Sequence, residues 1–211
     1  MRGRDIKRYS YEFAELYLIA TFPSKKYDIE NYPAIKEHLL SFDYNRLKQT
    51  GEDGARKKTN NQWFELQDSI SYWEDFSMQV IAWQRITSKN QFCLSESGTV
   101  ILDSMAFLSN IEANKYYLQA ILNSNLIYFW IKQNVPEYGN TGFRLSNQFV
   151  EVMPIPVVSV NQHEEFIEII KQIIENKKNG LDTAPLENDV NGLVYKLYDL
   201  TEDEISFINK N

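Results

Sequence analysis

Apolar residues change their spacing along this chain, and that change limits the folds open to it. From residue 161 onward they recur every three or four positions. Phe166, Ile169, Ile170, Ile173 and Ile174 form one stripe, Leu186, Val190, Leu193, Val194 and Leu197 a second, and Ile205 and Ile208 a short third. Such stripes are the buried faces of amphipathic helices. Their ends carry punctuation: Asn161 with Glu164 and Thr201 with Glu204 have capping-box spacing, and Asn179-Gly180 stops the first helix.

Upstream the apolar segments are shorter and alternate. Residues 4–9 and 11–21 read as strands, the second closed by Phe22-Pro23. Pro33 suits the first position of a helix whose apolar side, Ile35, Leu39, Leu40 and Leu47, carries it to about Lys48. Residues 49–61 are polar, with Gly51 and Gly54 among charges, and read as a mobile loop. Residues 78–86 alternate like a strand, and 91–94 and 100–102 read as two more, turning through Glu96-Ser97-Gly98. Helices are expected over 112–122 and 125–133, a loop over 136–142, and extended chain over 149–158, where Pro154 and Pro156 disfavour helix. The sum predicts an α+β fold: a mixed or mostly antiparallel curved sheet flanked by helices, with a helical C-terminal tail. Residues 1–158 form the expected core and 159–211 a helical segment bracing it.

With 43% apolar and 14% aromatic residues, the chain can bury a real core. Its single cysteine, Cys93, excludes an internal disulfide framework and fits a reducing cytoplasm. No apolar stretch follows the basic Met1-Arg-Gly-Arg opening, so no secretory signal is expected. Residues 116–131 are broken by Gln119, Asn123, Ser124 and Asn125, too polar for a membrane span.

The net charge of −7 is unevenly placed. Residues 161–211 hold 5 Lys/Arg against 11 Asp/Glu, whereas residues 1–160 hold 17 against 18. Two basic clusters stand out in the front part: Arg2, Arg4, Lys7 and Arg8 around Asp5, and Arg46, Lys48, Arg56, Lys57 and Lys58 around Glu52 and Asp53. Local field, not total charge, decides where a polyanion binds, although solvated surface gives the same pattern.

Catalytic motifs are absent from the sequence. His38 and His163 have no cysteine or second histidine at metal-ligand spacing, and Cys93, within an expected strand, reads as a small buried hydrophobe. No phosphate-binding Gly-x-x-x-x-Gly-Lys-Ser/Thr or dinucleotide Gly-x-Gly-x-x-Gly occurs. Gly139-Asn-Thr-Gly142 is a Gly-x-x-Gly, too common a pattern to signal a cofactor. A binding domain is the better reading, and no cofactor or metal is assigned to the chain.

Several segments, in order, resemble one family. They are Arg2-Gly3-Arg4-Asp5-Ile6-Lys7-Arg8-Tyr9; Trp63-Phe64-Glu65-Leu66-Gln67-Asp68; Tyr72-Trp73-Glu74-Asp75-Phe76; Val80-Ile81-Ala82-Trp83-Gln84-Arg85-Ile86; Tyr117-Leu118-Gln119-Ala120-Ile121-Leu122-Asn123-Ser124; Pro154-Ile155-Pro156; and Leu193 to Ile205, in which Asp199 stands where glycine is usual. Together they resemble the TaqI-like C-terminal specificity domain of adenine-specific methyltransferases and type IIG restriction–modification enzymes. The resemblance implies a non-catalytic, cytoplasmic domain that recognises a double-stranded DNA target. A methyltransferase domain of the same polypeptide, using S-adenosylmethionine and in some cases fused to a nuclease, would flip and modify the adenine. An Asn-Pro-Pro-Tyr-type motif and a Gly-rich cofactor loop, expected of that partner, are not in this sequence, which suggests a piece of a larger polypeptide.

On this reading Arg2, Arg4, Lys7 and Arg8 contact phosphates. The loop bearing Arg46, Lys48, Arg56, Lys57 and Lys58 follows a groove, with Asn60, Asn61 and Gln62 available to adenine. Asn140, Thr141 and Arg144, beside Gly139 and Gly142, form a second base-reading candidate, and Arg85 and Lys89 a weaker one. Trp63, Trp73, Trp83 and Trp130 read as core rather than stacking platforms. One rival reading is an acidic protein-interaction module whose C-terminal helices dock a partner, favoured by an exposed stripe over 166–174. A second is an enzyme whose site is assembled from scattered carboxylates and His38, favoured by a tight pocket holding His38 or Cys93 beside a carboxylate.

Overall fold

The computed structural model describes residues 1–140 and 142–211, and the side chains of all of these except 160–162. The chain divides into two compact units: Met1–Glu15 with Glu74–Asn211, and Leu16–Trp73. The boundary expected at 158/159 lies within the first.

The larger unit opens with a 3-10 turn at Gly3–Asp5 and an antiparallel hairpin of β1 (Ile6–Lys7) and β2 (Ser10–Tyr11). The turn sets Tyr9 at φ 66°, with its ring buried and its N–H donated to the Phe92 carbonyl at 3.2 Å. The strand expected to run to 21 stops at Tyr11. Phe13, Leu16, Tyr17 and Leu18 are exposed instead, because strand-forming side chains form no strand without a partner to complete the ladder.

In the smaller unit the expected single helix is two: α1 (Pro33–Leu40) and α2 (Tyr44–Leu47). Between them Asp43 takes φ 73°, outside the helical region, and its carboxylate then caps α2 by accepting the Asn45 N–H at 3.0 Å. Phe22, Ile29 and Phe64 form a small core, and the Trp73 ring meets Phe22 edge-on at 4.8 Å.

The larger unit resumes with β3 (Ile81–Gln84), β4 (Ile86–Thr87), β5 (Phe92–Leu94) and β6 (Met105–Leu108). β3 lies between β5 and β6, antiparallel to both, with Ala82 opposite Cys93 and Phe107. The strand expected at 100–102 is thus displaced to β6. α3 (Lys115–Leu122) and α4 (Asn125–Asn134) begin at Asn114 and Ser124, whose side chains accept N–H groups of their first turns. A hairpin of β7 (Glu137–Tyr138) and β8 (Gly142–Arg144) replaces the expected loop and joins β4 in a second three-stranded sheet, ordered β4-β8-β7. The short helix α5 (Asn147–Val150) precedes the irregular proline segment.

The tail is α6 (Val160–Lys178), α7 (Ala184–Leu197) and α8 (Glu202–Lys210). Thr201 and Glu204 form the expected capping box, whereas α6 has already begun before Asn161. Gly180 after α6 and Asp199 after α7 both have positive φ, 68° and 52°, so the aspartate occupies a left-handed position that glycine adopts without steric penalty.

The core lies between the first sheet and the helices. Trp83 is fully buried and donates its indole N–H to the Leu145 carbonyl at 2.9 Å. Phe166, Ile170 and Ile173 are buried, Phe166 against Tyr117 at 5.3 Å between ring centres. Among the described residues every paired strand is antiparallel, giving the expected α+β fold with a helical tail, the strands shared among three small sheets rather than one. Among the described residues no helix is long and apolar enough to cross a membrane.

Candidate nucleic-acid interface

The N-terminal cations divide by direction. Arg2 folds back on Asp5, its guanidinium 2.8 Å from the carboxylate, while its own N–H is also held by Asp5 at 2.7 Å. Asp5 is buried, and the guanidinium beside it lowers its pKa below the usual carboxylate range. Arg8 turns inward. It pairs with Glu187 at 3.1 Å, donates to the Asn123 carbonyl, and retains a buried Nε with no partner among the described residues. Lys177, at 2.9 Å, and the Thr183 hydroxyl, at 2.7 Å, also hold Glu187. Arg4 and Lys7 are exposed, Lys7 lying 3.8 Å from Glu12.

Three distant segments of this unit then meet. Arg2 and Arg4 from the N-terminal turn, Arg85 from the β3–β4 junction and Arg144 from β8 line one open concavity of about 670 Å³, with Gln84, Tyr138 and Asp103. Local pairing explains the meeting. Gln84 donates to the Gly3 carbonyl, and the Ser104 hydroxyl accepts the Gly3 N–H at 3.2 Å, so the turn is fixed beside β3. Arg144 stands opposite Ile86 in the β4–β8 ladder, one residue from Arg85. β8 approaches β4 so closely at Gly142 that any Cβ there would collide with the Thr87 carbonyl, which requires glycine. Asp103 lies 3.3 Å from Arg85. Arg4 and Arg144 have no carboxylate partner among the described residues, so the concavity is net positive.

Asn140 is exposed in the turn between β7 and β8; Thr141, expected to act beside it, lies outside the described residues. Lys89 is exposed but does not line the concavity. Gln84, Asp103 and Tyr138 were not candidates from the sequence. Tyr138, an exposed aromatic just before Gly139, carried a local signal, whereas Asp103 carried none.

In the smaller unit the loop 49–61 is organised around Arg56. Its guanidinium donates to the carbonyls of Leu47 at 2.7 Å, Glu65 at 2.9 Å and Trp63. Burial lowers its pKa, but an arginine stays charged throughout the biological range. Gln49 is buried and ties the loop further, donating to the Glu65 carbonyl at 2.8 Å and accepting the Thr59 hydroxyl at 2.6 Å. Asn61 bridges the carbonyls of Leu66 and Gln67, and Lys48 pairs with Glu52 at 2.8 Å. Arg46, Lys57, Lys58, Asn60 and Gln62 are exposed; among the described residues the three cations have no carboxylate partner. The loop thus presents free cations on an internally bonded frame.

The remaining reactive side chains are scattered. Cys93 is fully buried in β5, and burial pushes its thiol up to about 12. His38 is exposed against Phe42, and His163 lies against the Tyr117 ring. Among the described residues no cluster of His, Cys, Asp and Glu could hold a metal.

The chain has no match among the curated proteins compared. A family model does match, across most of its length: by residues 1–155, the chain belongs to the TaqI-like C-terminal specificity domain family.

Proposed function

We propose that this domain recognises a specific double-stranded DNA sequence and directs an adenine-specific methyltransferase, carried in the same polypeptide, to that site. The family's role, DNA-target recognition in restriction–modification enzymes, supports the DNA half of this reading. The observation that carries it is the exposure of unpaired cations in both units of an acidic protein: Arg4 and Arg144 at the concavity, and Arg46, Lys57 and Lys58 on the loop. Phosphates meet these groups together with Lys7 and Lys89, and base edges meet Asn60, Asn140 and the arginines of the concavity. Arg2 and Arg8 in the larger unit, and Lys48 and Arg56 in the smaller, are engaged within the protein and support the surface of their own unit. Thr141 belongs with the turn that reads bases. Residues 159–211 brace the domain, and S-adenosylmethionine and any nuclease belong to the rest of the cytoplasmic parent enzyme. Phe166, Ile170 and Ile173 are buried, and Ile169 and Ile174 are half-buried against the same core, which weakens the partner-docking alternative.

Gel-shift titration of the chain on duplex DNA tests the proposal. Binding falls steeply as salt rises, and converting Lys57 and Lys58 to Ala weakens it on all sequences and flattens the log–log salt slope by about 2. Absence of binding even at low salt overturns the reading.

A further inference from the structure

We propose that the concavity of the larger unit reads a G·C base pair in the major groove, with Arg144 and Arg85 addressing guanine and Asp103 addressing cytosine. This deepens, and rests on, the DNA-recognition reading above. Three features of the concavity lead to it.

The first is the chemistry of the rim. A surface built only to grip phosphate excludes carboxylates, yet Asp103 stands among the arginines with its side chain 99% exposed. A carboxylate there repels a phosphate but accepts a hydrogen bond from the cytosine N4 amino group, while a guanidinium fork matches guanine O6 and N7. The two side-chain types beside one another complement the two halves of one base pair.

The second is orientation. Arg85 donates to Asp103 at 3.3 Å, a contact between two exposed side chains that sets the guanidinium and the carboxylate side by side on the rim. Arg144 projects from a strand, not a loop. Its backbone is fixed by the ladder to Ile86 and by the close approach of Gly142 to Thr87. Readers on regular elements hold position more accurately than readers on loops.

The third is shape. β7 is the exposed edge strand of the β4-β8-β7 sheet, and the residues that follow it, Gly139 and Asn140, are exposed as well, so this side of the sheet projects beside the concavity. The major groove of B-form DNA presents different donor and acceptor patterns for G·C and C·G, whereas the minor groove carries too degenerate a pattern to tell them apart.

The test is selection from a duplex library with randomised positions, using the chain unaltered and as Arg144→Ala, Asp103→Asn and Lys57→Ala/Lys58→Ala variants, each checked for an unchanged thermal transition. The unaltered chain is expected to enrich a motif containing at least one fixed G·C pair. Arg144→Ala and Asp103→Asn lose preference at that same position, by roughly tenfold or more, while the double lysine variant keeps the motif and binds all sequences more weakly. The proposal is overturned if both concavity variants enrich the unaltered motif, or if that motif holds no fixed G·C pair. Binding without any sequence preference also overturns it and leaves DNA binding standing; a chain that binds no duplex DNA removes both readings together.

Discussion

Two basic clusters that look alike in the sequence are built on different principles. In the larger unit three arginines pair with carboxylates: Arg2 with Asp5 and Arg8 with Glu187 on the protein side, and Arg85 with Asp103 at the surface. In the smaller unit Arg56 is held by three backbone carbonyls. A carboxylate-held arginine keeps its charge but forms a neutral pair, and the pair answers to acid through its carboxylate. A carbonyl-held arginine keeps its charge and has no titrating partner. The larger unit therefore assembles a mixed-charge surface from distant segments, and the smaller unit makes a local one in which Arg46, Lys57 and Lys58 stand free beside the Lys48–Glu52 pair. Such a contrast suits reading on one unit and gripping on the other.

The largest expected effect tests the carbonyl-held frame. Arg56→Ala leaves the Leu47 and Trp63 carbonyls and one bond to Glu65 without their charged donor. Hydrogen bonds to charged groups contribute about 1.5–3 kcal/mol each and do not add fully, so a net loss of about 3 kcal/mol is expected. Urea denaturation followed by fluorescence should show it, since Trp63 and Trp73 lie in this unit. Arg56→Lys should recover little, because an ammonium cannot span three carbonyls as a planar fork does. Lys57→Ala, at an exposed and unpaired side chain, should stay within about 0.5 kcal/mol. If Arg56→Ala matched Lys57→Ala, the two clusters would not differ as described.

These expectations also mark what could be read beforehand. Helix stripes, the Thr201–Glu204 box and the Gly180 stop were legible because each is decided within a few residues. The charge clusters were legible as clusters, but not the direction of each side chain: Arg8 and Lys7 are neighbours, and one is tied to α7 while the other is exposed. The strand over 11–21 failed because sheet formation depends on a partner, and β2 stops at Tyr11. The concavity was beyond reach for the same reason, since the Ile86–Arg144 register joins residues far apart in sequence.

A smaller effect is expected at Arg8. Arg8→Ala removes one partner of Glu187 and the donor to the Asn123 carbonyl, but Lys177 and Thr183 still hold the carboxylate. A loss of about 2 kcal/mol follows, less than for Arg56 because the stranded group keeps other partners. A double-mutant cycle with Glu187→Ala should return a coupling between the two sites. Additive losses would show that the N-terminal hairpin and α7 are joined by packing alone, and would weaken the idea that residues 159–211 brace the binding surface through this pair.

The smallest effect separates the two units by acid. Asp5 has a folded pKa below its ordinary 3.8, chiefly through its hydrogen bonds to Arg2. A depressed carboxylate contributes stability that is present above the unfolded pKa and is lost as pH falls through the folded one. Wild-type stability should therefore drop below about pH 4 by an increment that Asp5→Asn lacks. In the smaller unit Glu52 is also lowered, first by Lys48, but that pair is solvent-exposed and should fade in high salt. Asp5 is buried, so its increment should persist. Comparing acid unfolding of Asp5→Asn and Glu52→Gln at low and high salt decides the matter. Equal salt sensitivity would mean that the Arg2–Asp5 turn is as open to solvent as the loop, and Arg2 would then count with Arg4 among the cations free to meet DNA.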